Sequence, residues 1–265
     1  MNALFCTCMT LALAANADPL FISHRGESAD ALKTRWRPLS FRGSVEVPAV
    51  ELDVHLTADD KLVVIHDKDT ERTCGVKRVV KESQYAELAE LDAGSWKGPQ
   101  FADQRLVLLD DVLAKLPAGK RCVIEVKVGP ESVPALVRAV RQSRLPASQL
   151  AVISFNAGTI AEVRRQLPEL ETQWLASFKT NEETGVVSPS VTEIIATAQG
   201  AAAHGVGLSY KGPIDAAFVQ QVHDAGLKCY VWTVDDAAEA RRLRAAGVDG
   251  ITSNKARWLM DQLAE

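Results

Sequence analysis

Glu51 and Asp53 stand two residues apart in the apolar run 49–55, and Glu125 and Lys127 stand two apart in the run 122–127. On an extended strand, side chains at that spacing share one face. Three carboxylates sent into one site repel one another and raise each other's pKa unless a cation neutralises them. Carboxylate oxygens are hard ligands, so the group these residues suit is a divalent metal, Ca²⁺ or Mg²⁺, with water or substrate oxygens completing its shell. Ion pairing of the same acids with Arg25 and Lys127 is the other use such charges could have.

These residues need a scaffold that brings separate strands to one point. From residue 20 onward, short β-branched runs alternate with amphipathic segments, the pattern of repeated βα units around a parallel sheet. Strands are predicted at 20–24, 49–55, 62–66, 122–127, 150–154, 172–177, 205–209, 228–233 and 250–252. Helices are predicted at 134–142, 159–166, 191–198, 216–225 and 237–246, with Gly226 and Gly247 as stops. The fold class expected is α/β, a TIM (β/α)8 barrel. The run 62–66 follows its neighbour too closely for a helical crossover, so it is read as a hairpin-like excursion. The strands are apolar nearly throughout, as when both faces are buried. Polar residues collect at or just past their C-terminal ends: His24, Arg25, Glu51, Asp53, His66, Asp67, Glu125, Lys127, Asn156, Trp232 and Asn254. In a (β/α)8 barrel that end carries the chemistry.

Composition narrows the alternatives. The 265 residues, 47% of them hydrophobic and with a net charge of −4, fit one barrel domain. Without a basic block, no nucleic acid partner is expected. Residues 1–17 are uncharged, mostly apolar and end in Ala15-Asn16-Ala17, which reads as a signal peptide with an A-x-A cleavage site, leaving 18–265 as the mature domain. The protein is accordingly expected to be exported, periplasmic or extracellular. The run is too short for a transmembrane span, and no other segment qualifies. Cys74, Cys122 and Cys229 are an odd, widely spaced set rather than a disulfide framework, and the last two lie in apolar strand-like runs. His204 and His223 fall in or beside predicted helices and are read as structural; His55 shares the parity of Asp53 and is read as a supporting or packing residue. Nothing in the sequence specifies an oligomeric state.

Taken together, the motifs resemble the glycerophosphodiester phosphodiesterase family. They are His24-Arg25-Gly26, Glu51-Leu52-Asp53-Val54, Val63-Val64-Ile65-His66-Asp67, Leu91-Asp92-Ala93-Gly94-Ser95-Trp96, Glu125-Val126-Lys127, Val231-Trp232-Thr233-Val234 and Gly247 to Asn254, in family order from residue 22 to about 257. The resemblance implies metal-dependent hydrolysis of small-molecule glycerophosphodiesters to an alcohol and glycerol 3-phosphate. It implies that Glu51, Asp53 and Glu125 bind the metal, that His24 and His66 are the catalytic acid and base, and that Arg25 and Lys127 hold the phosphate. It also implies that a neighbouring glycerol hydroxyl attacks first, giving a cyclic phosphate that water opens. Imidazoles titrate near neutrality, as the two proton transfers require, and cations stabilise the charge that grows on the non-bridging oxygens. A Trp at the strand end, Trp232, suits an apolar substrate carbon. A phospholipase D-like hydrolase of lysophospholipids or sphingomyelin is the related alternative, although no apolar patch in the sequence announces an entrance for an acyl chain.

One stretch departs from that resemblance. The family follows its His-Arg-Gly with Pro-Glu-Asn-Thr at the start of the first helix, whereas this chain reads Leu32-Lys33-Thr34-Arg35-Trp36, and Pro38 and Gly43 interrupt any helix over 32–46. The region is therefore expected to be irregular, and an inactive ligand-binding member is a further alternative. Codons such as CTG AAA ACA CGA TGG, read one base earlier after a C, encode Pro-Glu-Asn-Thr-Met, which points to two compensating frameshifts; ordinary divergence is the competing account. Independent resequencing of the gene should recover the Pro-Glu-Asn-Thr reading, and an unbroken frame for 32–46 in separate clones would exclude it.

Overall fold

The computed structural model describes residues 18–26 and 47–264. The signal-peptide reading of 1–17 and the irregular stretch 32–46 lie outside the described residues. Eight parallel strands form the barrel: β1 (Leu20–Ser23), β2 (Ala49–Leu56), β4 (Arg121–Val126), β5 (Leu150–Ser154), β6 (Glu171–Ala176), β9 (Gly205–Ser209), β10 (Lys228–Trp232) and β11 (Gly250–Ser253). β3 (Leu62–Val64) pairs antiparallel with β2, Val54 opposite Val64, which is the expected excursion. β1 closes the circle, pairing with β11 along four residues but with β2 only through Ile22 opposite Ala49 and Ser23 opposite Val50.

Alternation along the strands separates two compartments. Val50, Leu52 and Val54 face an outer core shared with Leu109, Leu136 and Val163, whereas Ile22, Ala49, Val123, Ala151, Leu175 and Tyr230 pack together on the other side, filling the barrel. Glu51 and Asp53 share the parity of Ala49, and Glu125 that of Val123, so all three acids are directed inward at the upper end. Gly250 makes room for this filling: a Cβ there would lie 2.4 Å from the Tyr230 ring.

The outer helices are α3 (Leu109–Leu113), α4 (Val133–Ser143), α5 (Ala157–Gln166), α6 (Val191–Gly200), α7 (Ala216–Asp224), α8 (Ala237–Ala246) and α9 (Ala256–Ala264). The five helices read from the sequence correspond to α4 to α8. α6 starts at a capping box in which Ser190 and Glu193 bond each other's backbone. Sequence periodicity misses α1 (Glu71–Cys74), α2 (Tyr85–Ala89) and α3, because helices of four or five residues are too short to show a 3.6 period, and it also misses α9 and the hairpin β7 (Lys179–Thr180) with β8 (Val187–Ser188). Among the described residues no helix is long and apolar enough to cross a membrane. Cys122 and Cys229 are buried free thiols, as expected of small core residues.

The N-terminal end of the barrel is closed by charge. Glu171 accepts from Lys228 Nζ at 2.8 Å and Tyr230 Oη at 2.7 Å, and Arg121 Nη2 lies 3.2 Å away. Burial alone would raise the Glu171 pKa, but Arg121, Lys228 and Tyr230 outweigh it and bring it down to about 2. A carboxyl group depressed in the folded state stabilises the fold above its unfolded pKa, near 4.3, and that contribution is lost as pH falls toward the folded value. Glu171→Gln should cost about 2 kcal/mol at neutral pH by leaving Arg121 short of a partner. Thermal melts should show a smaller gap between variant and parent at pH 2 than at pH 6.

Candidate active site

The turn after β1 carries His24, Arg25 and Gly26. Arg25 has φ 51° and Gly26 φ 67°. For a non-glycine residue the left-handed region costs roughly 1–2 kcal/mol. Two interactions offset it: the Arg25 N–H donates to Glu51 Oε2 at 3.0 Å, and its guanidinium Nε lies 2.8 Å from Asp53 Oδ2. A side chain at Gly26 would meet open space yet still carry the backbone strain.

His24 Nδ1 lies 2.8 Å from Asn254 Oδ1. Asn254 Nδ2 donates to Asp235 Oδ2 at 2.7 Å, so the amide oxygen is the atom left facing the ring. An accepting oxygen there places the imidazole proton on Nδ1 and leaves Nε2 with its lone pair. That Nε2 lies 3.9 Å from Glu51 Oε2.

Glu51 and Asp53 are 2% and 3% exposed, and Glu51, Asp53 and Glu125 each offer an oxygen within 4.8 Å of the others. Burial pushes the Glu51 pKa well up, Asp53 and Glu125 push it further, and Arg25 opposes them. Glu125 is likewise raised by burial and by Asp53, against Lys127. Lys127 Nζ bridges the pair, 2.7 Å from Glu125 Oε1 and 3.4 Å from Asp53 Oδ1. Both uses of the charges foreseen in the sequence are therefore present: two cations ion-pair with the acids, and the acids still converge. Among the described residues, two cations against three acids leave negative charge uncompensated. Glu51 Oε1 and Asp53 Oδ1 are buried and make no hydrogen bond among the described residues. Oxygens sharing one Ca²⁺ at its usual distances lie at most about 5 Å apart, so this all-oxygen cluster fits a hard divalent ion.

His66 stands just past β3, which ends two residues earlier than the sequence predicts. Its Nδ1 bonds Asp67 Oδ1 at 2.7 Å, and the His55 ring donates from Nε2 to the His66 carbonyl at 3.1 Å, which makes His55 the supporting residue it was read to be. Burial lowers the His66 pKa, and the bond to Asp67 opposes that shift. His24, Arg25, Glu51, His66, Glu125, Lys127 and Trp232 line one cavity of about 250 Å³, with Asp53 held beneath by Arg25 and Lys127. All eight predicted site residues thus gather at the C-terminal mouth. His204 and His223 do not: His204 bonds Thr172 and His223 bonds Asp249, both at the opposite end.

Sequence reasoning missed the cavity's apolar side, formed by Ile153, Phe155 and Leu175 beside Trp232. Phe155, 46% exposed, meets Trp232 edge to face with ring centroids 5.6 Å apart. Its signal was positional, since Phe155-Asn156 directly follows β5.

An acid-lined mouth on a closed parallel barrel defines a TIM-barrel enzyme. Residues 24–257 match the sequence model of the glycerophosphoryl diester phosphodiesterase family, and the chain belongs to that family. A glycerophosphodiester phosphodiesterase of Caldanaerobacter subterraneus subsp. tengcongensis is 29% identical over 91% of this chain and 96% of its own length. One from Bacillus subtilis is 27% identical over 89% and 83% respectively. Among solved structures, an Oleispira antarctica phosphodiesterase in complex with the product sn-glycerol-3-phosphate superposes with TM-score 0.81, at 24% identity, covering 94% of this chain and 98% of that one.

An ion bound only by the folded state stabilises it, by about 2.7 kcal/mol at a hundred-fold excess over Kd. Adding Ca²⁺ or Mg²⁺ to chelator-treated protein should therefore raise Tm by several degrees. The same addition should leave the Tm of Asp53→Asn nearly unchanged in a differential scan.

Proposed function

We propose that this chain hydrolyses glycerophosphodiesters to an alcohol and glycerol 3-phosphate, with Ca²⁺ or Mg²⁺ held by Glu51, Asp53 and Glu125. The observation that carries the reading is the convergence of those three acids, within 4.8 Å, on a cavity that both His24 and His66 line. The ion, when bound, supplies positive charge to the non-bridging phosphate oxygens. Arg25 and Lys127 oppose the upward pKa shifts of Glu51 and Glu125, and their charge holds the phosphate at the mouth.

The two imidazoles divide the proton transfers. Each is bonded through Nδ1, to Asn254 or to Asp67, which turns the Nε2 edge of the ring toward the cavity. One Nε2 takes the proton of the attacking hydroxyl and the other, protonated, delivers one to the leaving alkoxide. Attack by the neighbouring glycerol hydroxyl followed by water reverses these roles in the second half of the cycle. The product held by the Oleispira relative, sn-glycerol-3-phosphate, supports the choice of substrate.

The apolar wall of Ile153, Phe155, Leu175 and Trp232 favours a second reading, in which an acyl-bearing lysophospholipid is also accepted. A human protein named lysophospholipase D is 30% identical over 102 residues, 36% of this chain. Export rests on the apolar run 1–17 with its Ala15-Asn16-Ala17 end, and we place the mature enzyme in the periplasm or outside the cell.

Turnover of glycerophosphocholine should fall to background on chelation and return with added metal. His24→Ala and His66→Ala should each lower kcat by about 10²–10⁴-fold. Turnover that survives chelation would remove the metal from the mechanism, and competition with lysophosphatidylcholine tests the second reading.

A further inference from the structure

The excursion between β3 and α3 carries the motif 91–96, which the chemistry described so far leaves without a role. We propose that it ends a positioning chain, Asp92 to Trp96 to Arg72 to Asp67, that holds His66 in the Nδ1–H form with Nε2 free for the substrate. The inference rests on the phosphodiesterase reading for its effect on turnover.

The chain starts from a rigid turn. Asp92 Oδ1 accepts from the N–H groups of Gly94 and Ser95 at 2.8 and 2.9 Å, and Oδ2 from Ser95 Oγ and the Asp103 N–H at 2.7 and 3.0 Å. Those four bonds hold the Asp92 pKa well below the usual carboxylate range, so the turn stays tied at any pH of interest. Trp96 Nε1 donates to the Ala93 carbonyl at 3.1 Å, which orients the ring. The Arg72 guanidinium carbon lies 5.3 Å from the centre of that ring, within cation–π range.

From there the links are hydrogen bonds. Arg72 Nε donates to Asp67 Oδ2 at 2.6 Å, and Asp67 Oδ1 accepts from His66 Nδ1 at 2.7 Å. Each Asp67 oxygen therefore has a partner, and the arginine holds the carboxylate against rotation away from His66. Arg72 itself stands on α1, which Gly75 closes in the left-handed conformation and Thr70 Oγ1 ties to the Val76 carbonyl at 2.5 Å.

Stability does not account for this arrangement. Side-chain exposure is 44% at Arg72 and 25% at Asp67, and Trp96 is 40% exposed. Ion pairs that open to solvent contribute about 0–1 kcal/mol. What they can do is select a tautomer, and a histidine held in the wrong tautomer loses orders of magnitude in rate.

The full chain with bound metal provides the test. Arg72→Ala should lower kcat about ten-fold and Asp67→Asn about a hundred-fold, with KM within two-fold and Tm within a few degrees of the parent. Long-range ¹H–¹⁵N spectra, with His66 assigned by comparison with His66→Gln, should show only the Nδ1–H form in the parent and a mixture with Nε2–H in both variants. A kcat within two-fold of the parent in Arg72→Ala, or an unchanged tautomer in both variants, overturns the proposal. A parent that lacks turnover refutes the phosphodiesterase reading instead, and the tautomer spectra still decide the positioning chain.

Discussion

Everything at the mouth of this barrel answers to one electrostatic conflict: three carboxylates from two adjacent strands are buried within reach of one another. Burial and mutual repulsion both disfavour their charged forms. The chain resolves part of the conflict with Arg25 and Lys127, each of which reaches Asp53, and leaves among the described residues a remainder that a divalent cation would fit. The left-handed Arg25 belongs to the same solution, because that turn aims both its N–H and its guanidinium at the acids. Among the described residues a site built this way is under-neutralised, a condition that suits it to a bound cation.

Much of this was legible in the sequence because strand parity is robust. Once β2 and β4 are recognised as strands, the spacing of Glu51 and Asp53 and the position of Glu125 place all three acids on the inner face, whatever the strand boundaries. The antiparallel step of β3 was readable from the short link behind it. The motif order carried the histidines and the family. Less visible was whatever depends on side chains meeting across the fold: Phe155 against Trp232, His55 beneath His66, and the links that reach His66 from Trp96. Short helices such as α1 and α2 hold their place by hydrogen bonds to loops rather than by periodicity, so no window of sequence displays them.

The two ends of the barrel use charge in opposite ways. At the lower end a single acid, Glu171, is surrounded by Arg121, Lys228 and Tyr230 and is held ionised. At the upper end three acids outnumber their cations among the described residues, and Glu51 and Glu125 are pushed toward protonation. The first arrangement stabilises the fold, and the second prepares it to bind. Separating them by the length of a strand lets one barrel hold both without their charges competing.

The closure of the barrel between β1 and β2 is a short seam, two residue pairs in length like that between β10 and β11. His24 and Arg25 leave from one side of it and Glu51 and Asp53 from the other. The contacts of Arg25 with those two acids are therefore stitches across the cut, and a cation on the same carboxylates tightens the side they anchor. Bracing those carboxylates would also brace the join between the first two staves of the cylinder, so occupancy of the mouth and integrity of the barrel are thermodynamically linked.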